Sequence, residues 1–76
     1  MSRLTPQHWK TLQKVFQKAG FRHNRTAGSH LVMTKPGVPR PVITPMYDEV
    51  GRDIIASNLR TAGLSREKYF RLLKGL

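Results

Sequence analysis

The stretch Ser29-His30-Leu31-Val32-Met33-Thr34-Lys35 reads as an extended strand, and it decides the fold. Side chains alternate along a strand with a period of two, so Leu31 and Met33 share one face while His30, Val32 and Thr34 share the other. If the aliphatic pair faces a core, His30 points away from it. On the N-terminal side, Thr26-Ala27-Gly28 reads as a turn and Phe21 to Arg25 as a preceding strand. On the C-terminal side, Pro36-Gly37-Val38-Pro39 is a strong turn signal, and Arg40 to Pro45 offers a third strand. Pro41 and Pro45 restrict that strand to pairing at an edge or at its ends. The three runs predict an antiparallel meander.

Helical periodicity flanks the meander. Trp9, Leu12, Val15, Phe16 and Ala19 recur at three- and four-residue spacing, which predicts an amphipathic helix over residues 6–19. Thr5 is placed to cap it, Pro6 to occupy its first turn and Gly20 to end it. After the irregular acidic segment from Tyr47 to Gly51, Ile54, Ile55, Leu59 and Ala62 resume the spacing until Gly63, as a second and shorter helix. Asn58 interrupts that stripe, as a hydrogen-bonded buried amide or as its edge. Ser65 caps a last helical turn or two carrying Tyr69, Phe70, Leu72 and Leu73, packed back on the rest. The expected class is α+β, with helices on one face of a small antiparallel sheet, and residues 1–76 form one domain with no internal repeat. Trp9, Phe16 and Tyr69 belong to the core on this reading rather than to a base-stacking platform.

Composition narrows the partners. The 76 residues carry fourteen Lys and Arg against four Asp and Glu, a formal charge of +10, with a sequence pI near 11.3. Such a field attracts polyanions, and neutralising phosphates releases condensed counterions, so nucleic acid is the expected partner. The basic residues are spread along the chain and form no membrane-type cluster beside an apolar helix face. No stretch approaches the roughly 18 unbroken apolar residues of a membrane span. Met1 to Ala19 interleaves lysines with apolar residues, unlike a signal peptide, and the chain has no cysteine. A cytoplasmic protein is expected. A chain this short buries only about 60% of its unfolded surface, so a bound partner would add appreciably to its stability.

The inventory of reactive groups is small. Asp48, Glu49, Asp53 and Glu67 are the acidic residues, the histidines lie at positions 8, 23 and 30, and no metal-ligand spacing joins them. A Ser-His-Asp triad is a poor reading, because Ser29 and His30 are adjacent and project to opposite strand faces. RNA, however, carries its own nucleophile. Its 2′-hydroxyl attacks the neighbouring phosphorus without a metal if one group moves a proton and cations steady the charge on the phosphate oxygens. Imidazole titrates near neutrality and suits the first task. Arg22, Arg25, Lys35 and Arg40 are candidates for the second, and Gly28 lets a phosphate approach the backbone beside His30.

Four ordered segments carry a family resemblance: Lys18-Ala19-Gly20-Phe21 at the end of the first helix, Arg25-Thr26-Ala27-Gly28-Ser29-His30, Pro41-Val42-Ile43-Thr44-Pro45, and Leu59-Arg60-Thr61-Ala62-Gly63-Leu64-Ser65-Arg66-Glu67. Together they resemble the HicA toxins, the small mRNA-cleaving partners of type II toxin-antitoxin systems. The resemblance implies a fold similar to double-stranded-RNA-binding domains and makes the histidine of the Gly-Ser-His segment, His30, the catalytic residue. It also implies metal-independent cleavage of single-stranded mRNA, no cofactor, and a HicB-like antitoxin that binds the toxin and blocks its site. Arg22, Arg25, Gly28, Ser29, Lys35 and Arg40 are the expected RNA-binding set.

One departure stands out. Many members carry a second histidine in a Pro-x-His segment after the third strand, where this chain has Pro45-Met46-Tyr47. A phenol is a poor base at neutral pH, although it donates hydrogen bonds and stacks on nucleobases. A two-histidine scheme then needs His23 beside His30, and His23 reads as a bystander. Two rival expectations remain: a catalytically inactive RNA-binding module of the same fold, and a protein whose main role is to occupy an acidic partner.

Overall fold

The computed structural model describes residues 3–76; the reading of the N-terminus from Met1 falls in part on residues 1 and 2, outside the described residues. The elements are α1 (Trp9–Lys18), β1 (Arg22–Ala27), β2 (His30–Thr34), β3 (Val42–Pro45), α2 (Arg52–Ala62) and α3 (Arg66–Lys74). The sheet runs β1-β2-β3 with both pairings antiparallel, the expected meander. Helix, three antiparallel strands and helix follow one another as in double-stranded-RNA-binding domains, with α3 added at the C-terminal end. This is the expected α+β class.

Each boundary has a physical cause. Helix α1 starts at Trp9 rather than at residue 6, because the chain before it is engaged in an antiparallel bridge. Gln7 and Val50 exchange two backbone hydrogen bonds of 3.1 and 2.7 Å, and Trp9 N–H donates to the Tyr47 carbonyl at 3.1 Å. The cap is therefore His8, whose Nδ1 accepts from the Lys10 N–H at 3.1 Å, and not Thr5. At the other end Gly20 N–H bonds the Gln17 carbonyl at 3.0 Å and Phe21 N–H bonds the Phe16 carbonyl at 2.9 Å, the paired bonds of a Schellman motif. The apolar contact expected of that motif is the Phe16–Phe21 pair, edge to face at 5.7 Å. Gly20 makes the reversal possible with φ near +99°.

The β1–β2 turn is tighter than the sequence suggested. Ala27 pairs directly with His30, so Gly28 and Ser29 alone form it, and β1 extends through Thr26 and Ala27. Gly28 has φ near +60° at the first turn position, where a type II′ hairpin turn requires glycine. Between His23 and Arg25 the pairing register shifts, leaving Asn24 as a bulge. Helix α2, expected to be the shorter, has 11 residues against 10 in α1, since it begins at Arg52 before its apolar stripe does. Helix α3 has nine residues rather than a turn or two. A short helix needs tertiary support, and here Tyr69 is buried while Phe70, Leu72 and Leu73 pack against the core.

One apolar cluster holds the sheet to the helices: Leu12, Val15 and Phe16 of α1, Leu31 and Met33 of β2, Val42 of β3, Ile55 and Leu59 of α2, and Tyr69. Trp9 is only half-buried at its rim, short of the core position expected for it. Asn58 is the buried amide the sequence allowed, and its Nδ2 donates to Thr44 Oγ1 at 3.2 Å, tying α2 to β3. Among the described residues no helix is long and apolar enough to cross a membrane.

Two measurements check these packing arguments. A Cβ added at Gly20 would meet Lys35 Cε at 3.1 Å in a left-handed backbone, so Gly20→Ala should lower the urea-unfolding free energy by about 1–2 kcal/mol. The Tyr69 hydroxyl is buried without a hydrogen-bond partner, and burial pushes its phenol pKa above the ordinary value. The folded state thus resists ionisation: this contribution is complete below the unfolded pKa of about 10 and is lost as pH rises through the folded value. Tyr69→Phe should leave neutral-pH stability unchanged or higher, and should flatten the decline seen in alkaline unfolding curves.

Candidate functional site

Helices cover one face of the sheet; the other is open, and pairing fixes which side chains it carries. Residues directly opposite one another project to the same side. Ala27, His30 and Pro45 form one cross-strand row, and Arg25, Val32 and Ile43 form the next. Leu31 and Thr44, and Met33 and Val42, are the buried pairs on the helix side. His30 is exposed, as alternation required. Val32 shares its face but is only 6% exposed, because on the central strand it is flanked on both sides, by Arg25 and Ile43.

The Asn24 bulge decides which basic residues join His30. Positions 22 and 25 are three apart and would fall on opposite faces of a regular strand. With the extra residue between them, Arg22 pairs with Thr34 and Arg25 with Val32, and both lie on the open face. Arg25 is two residues along the strand from the His30 row, about 7 Å, and Arg22 is four, about 13 Å. Among the described residues no carboxylate pairs with either; the close contacts of acidic side chains with basic ones are Asp48 with His8 and Glu67 with Arg71. Gly28 and Ser29 adjoin His30 in the turn, and a Cβ at Gly28 would meet nothing within 4 Å, so the loop is open to an approaching group.

The remaining sites expected from sequence lie elsewhere. Lys35 is at the far end of β2, where its ammonium donates to the Ala19 carbonyl at 2.7 Å and sits 5.7 Å from the centre of the Phe21 ring. It serves the C-terminal end of α1, where a cation is favoured by the helix dipole. Arg40 precedes β3 at the same far end and lines a shallow depression of about 370 Å³ with Pro39, Ser57, Arg60 and Thr61. His23 pairs with Met33, on the helix side, and its Nε2 is 3.0 Å from Thr26 Oγ1. It is therefore not a partner for His30. Tyr47 is 51% exposed, just past β3. Met46 N–H donates to the Ser29 carbonyl at 2.8 Å, which binds the Tyr47 segment to the turn beside His30. Sequence reasoning missed Ile43, 46% exposed on the His30 face; its pairing with Val32 is a register property that β-branched alternation alone does not give. Among the described residues no three His, Asp or Glu side chains gather in a group able to hold a metal ion.

Compared with known families, residues 9–64 match the model described as HicA toxin of bacterial toxin-antitoxin. The chain belongs to the HicA toxin family. The match runs from the first residue of α1 past the end of α2, so it spans the whole sheet and the His30 turn and leaves α3 outside. Among curated proteins none matches significantly. Membership supports the general role of an mRNA-cleaving toxin, and the HicA fold here presents one exposed histidine on an open, cationic sheet face.

The position of Lys35 in this HicA chain yields a prediction about stability rather than affinity. Lys35→Met keeps the apolar stem and removes the bond to Ala19, and should reduce the unfolding free energy by about 0.5–1.5 kcal/mol in denaturant titration.

Proposed function

We propose that this HicA-family chain, acting as one domain over residues 1–76, is a metal-independent endoribonuclease that cleaves single-stranded mRNA in the cytoplasm, with His30 as its proton-transferring group and a HicB-like antitoxin as its partner. In the reaction the ribose 2′-oxygen bonds to the adjacent phosphorus as the bond from phosphorus to the 5′-oxygen breaks. The 2′-hydroxyl gives up its proton and the departing 5′-oxygen takes one; His30 serves as base, as acid, or as each in turn. Arg25, with Arg22 further along, holds the phosphate and offsets the charge that grows on its oxygens. Gly28 and Ser29 let the backbone come close, and Lys35 and Arg40 contribute at longer range to the field that draws the polyanion in.

The observation that carries this reading is the exposure of His30 on the open face, with Arg25 in the adjacent row and the unobstructed Gly28 turn at its side. The chemistry needs only an imidazole, a cation and the substrate's own hydroxyl. A second reading, an inactive RNA-binding module, is favoured by the exposed Tyr47 after β3, in the segment where the family resemblance implies a second histidine.

Incubating unmodified RNA with the purified protein in excess chelator separates the two. Cleavage should persist in chelator, fall by about 10²–10⁴-fold in His30→Ala, and be unchanged in His23→Ala, whose ring lies on the other face. Cutting that requires added metal, or a fully active His30→Ala protein, would remove the mechanism. Binding without any shortening of the RNA would favour the module.

A further inference from the structure

The open face is chemically lopsided. Its β1 side carries Arg22 and Arg25, brought there together by the Asn24 bulge, and the permissive Gly28 turn. Its β3 side, Val42-Ile43-Thr44-Pro45, carries no charge at all. Ile43, on this face, and Tyr47, in the segment just past the end of β3, are two of the three exposed large hydrophobic residues of the protein's described part. His30 is on the strand between. From the proposed function and this asymmetry, we infer that a single RNA strand lies along the face with its phosphates toward β1 and its bases toward β3, where Ile43 and Tyr47 form a nucleobase subsite.

The occupant follows from complementarity. A single-stranded nucleic acid is anionic along its backbone and apolar on the faces of its unstacked bases, and proteins hold such strands with cations on one side and stacking or apolar contacts on the other. Arg25 and Ile43 stand in one row across three strands, about 10 Å apart at the usual strand spacing. The scissile phosphate is held on the Arg25 side of that row, next to His30 in the adjacent row. Strand β3 has no cation to neutralise a phosphate, so a strand laid the other way would leave its charge uncompensated there and its bases against two guanidinium groups.

The subsite is also preset. Tyr47 is fixed at both backbone ends: its N–H donates to the Pro45 carbonyl at 2.8 Å and its carbonyl accepts from Trp9 N–H at 3.1 Å. With the Met46–Ser29 bond, these contacts hold the tyrosine beside the His30 turn without help from a ligand. Ile43 is held by the strand pairing itself. Tyr47 thus acts as a specificity and positioning residue by contacting a base.

The test uses the full chain and two oligonucleotides of equal length that lack a free 2′-hydroxyl and are not cleaved: a 2′-O-methyl strand with all its bases and the same backbone with abasic positions. Ile43→Thr, which keeps a β-branched strand former, and Tyr47→Ser should each weaken binding of the base-bearing strand about tenfold. Neither should alter binding of the abasic strand or the slope of log affinity against log salt. Arg25→Gln should weaken both and reduce that slope by about one. Thermal unfolding of each variant shows that the fold is retained. Equal losses on both strands, or no loss on either, would overturn the subsite and leave the apolar side as a surface for a protein partner. Cleavage of unmodified RNA by the native protein is scored separately: if it depends on His30 while Ile43→Thr and Tyr47→Ser change nothing, the subsite fails and the nuclease reading stands. If the native protein binds neither strand and cuts no RNA, both fall.

Discussion

Burial of a single face of a three-stranded sheet is the constraint from which the rest of the molecule follows. Leu31 and Met33 of the central strand lie in one cluster with Leu12, Val15 and Phe16 of α1 and Ile55 and Leu59 of α2. Because side chains alternate with a period of two, this burial assigns a side to every residue of β2, and through the pairing register to β1 and β3 as well. Among the described residues the helices pack on this face, and His30, Arg25 and Ile43 are exposed on the other. His30 is exposed for that reason and not because it resists burial.

Charge is distributed differently from chemistry. Of the fourteen basic residues, Arg22 and Arg25 are the two that the strands bring to the His30 face. Lys35 is committed to the end of α1, Lys18 donates to the Gly75 carbonyl at 2.8 Å, and most of the others line the outer surfaces of the helices. Under the proposed function the net charge acts mainly as a long-range field that raises the local concentration of a polyanion, and orientation falls to the bulged strand and the turn. A one-residue irregularity in β1 is what places Arg22 on the same face as Arg25 and His30.

The two ends of the fold lock this arrangement. Antiparallel bonding between Gln7 and Val50 and between Trp9 and Tyr47 joins the entrance of α1 to the segment leaving β3, so the first helix and the exposed tyrosine are positioned by the same bonds. At the C-terminal end α3 lies beyond the family match yet inserts Tyr69 into the core, where its hydroxyl is left without a partner. Such a group is tolerated for the ring area it buries rather than for its oxygen. The third helix is thus a packing addition to the helix-sheet-helix unit, remote from the face that carries His30.

The sequence by itself determined the elements and their order, since apolar spacing, turn glycines and prolines act locally: α1, the meander, α2 and the outward side of His30 were all legible in it. The Gly-Ser-His segment and its three companion segments were likewise sufficient to indicate the family. Boundaries set by distant partners were not legible: α1 starts late because residues 47 and 50 bond to its approach, and α3 is a full helix because a core awaits Tyr69. Only the tertiary structure decided which side chains share the face with His30. A bulge at Asn24 has no residue signature, and one extra residue reverses the side of everything before it, which brings in Arg22 and turns His23 away. Ile43 joined the same face for the same reason: strand registers are fixed by pairing and core burial across the sheet, not by the residues within any single strand.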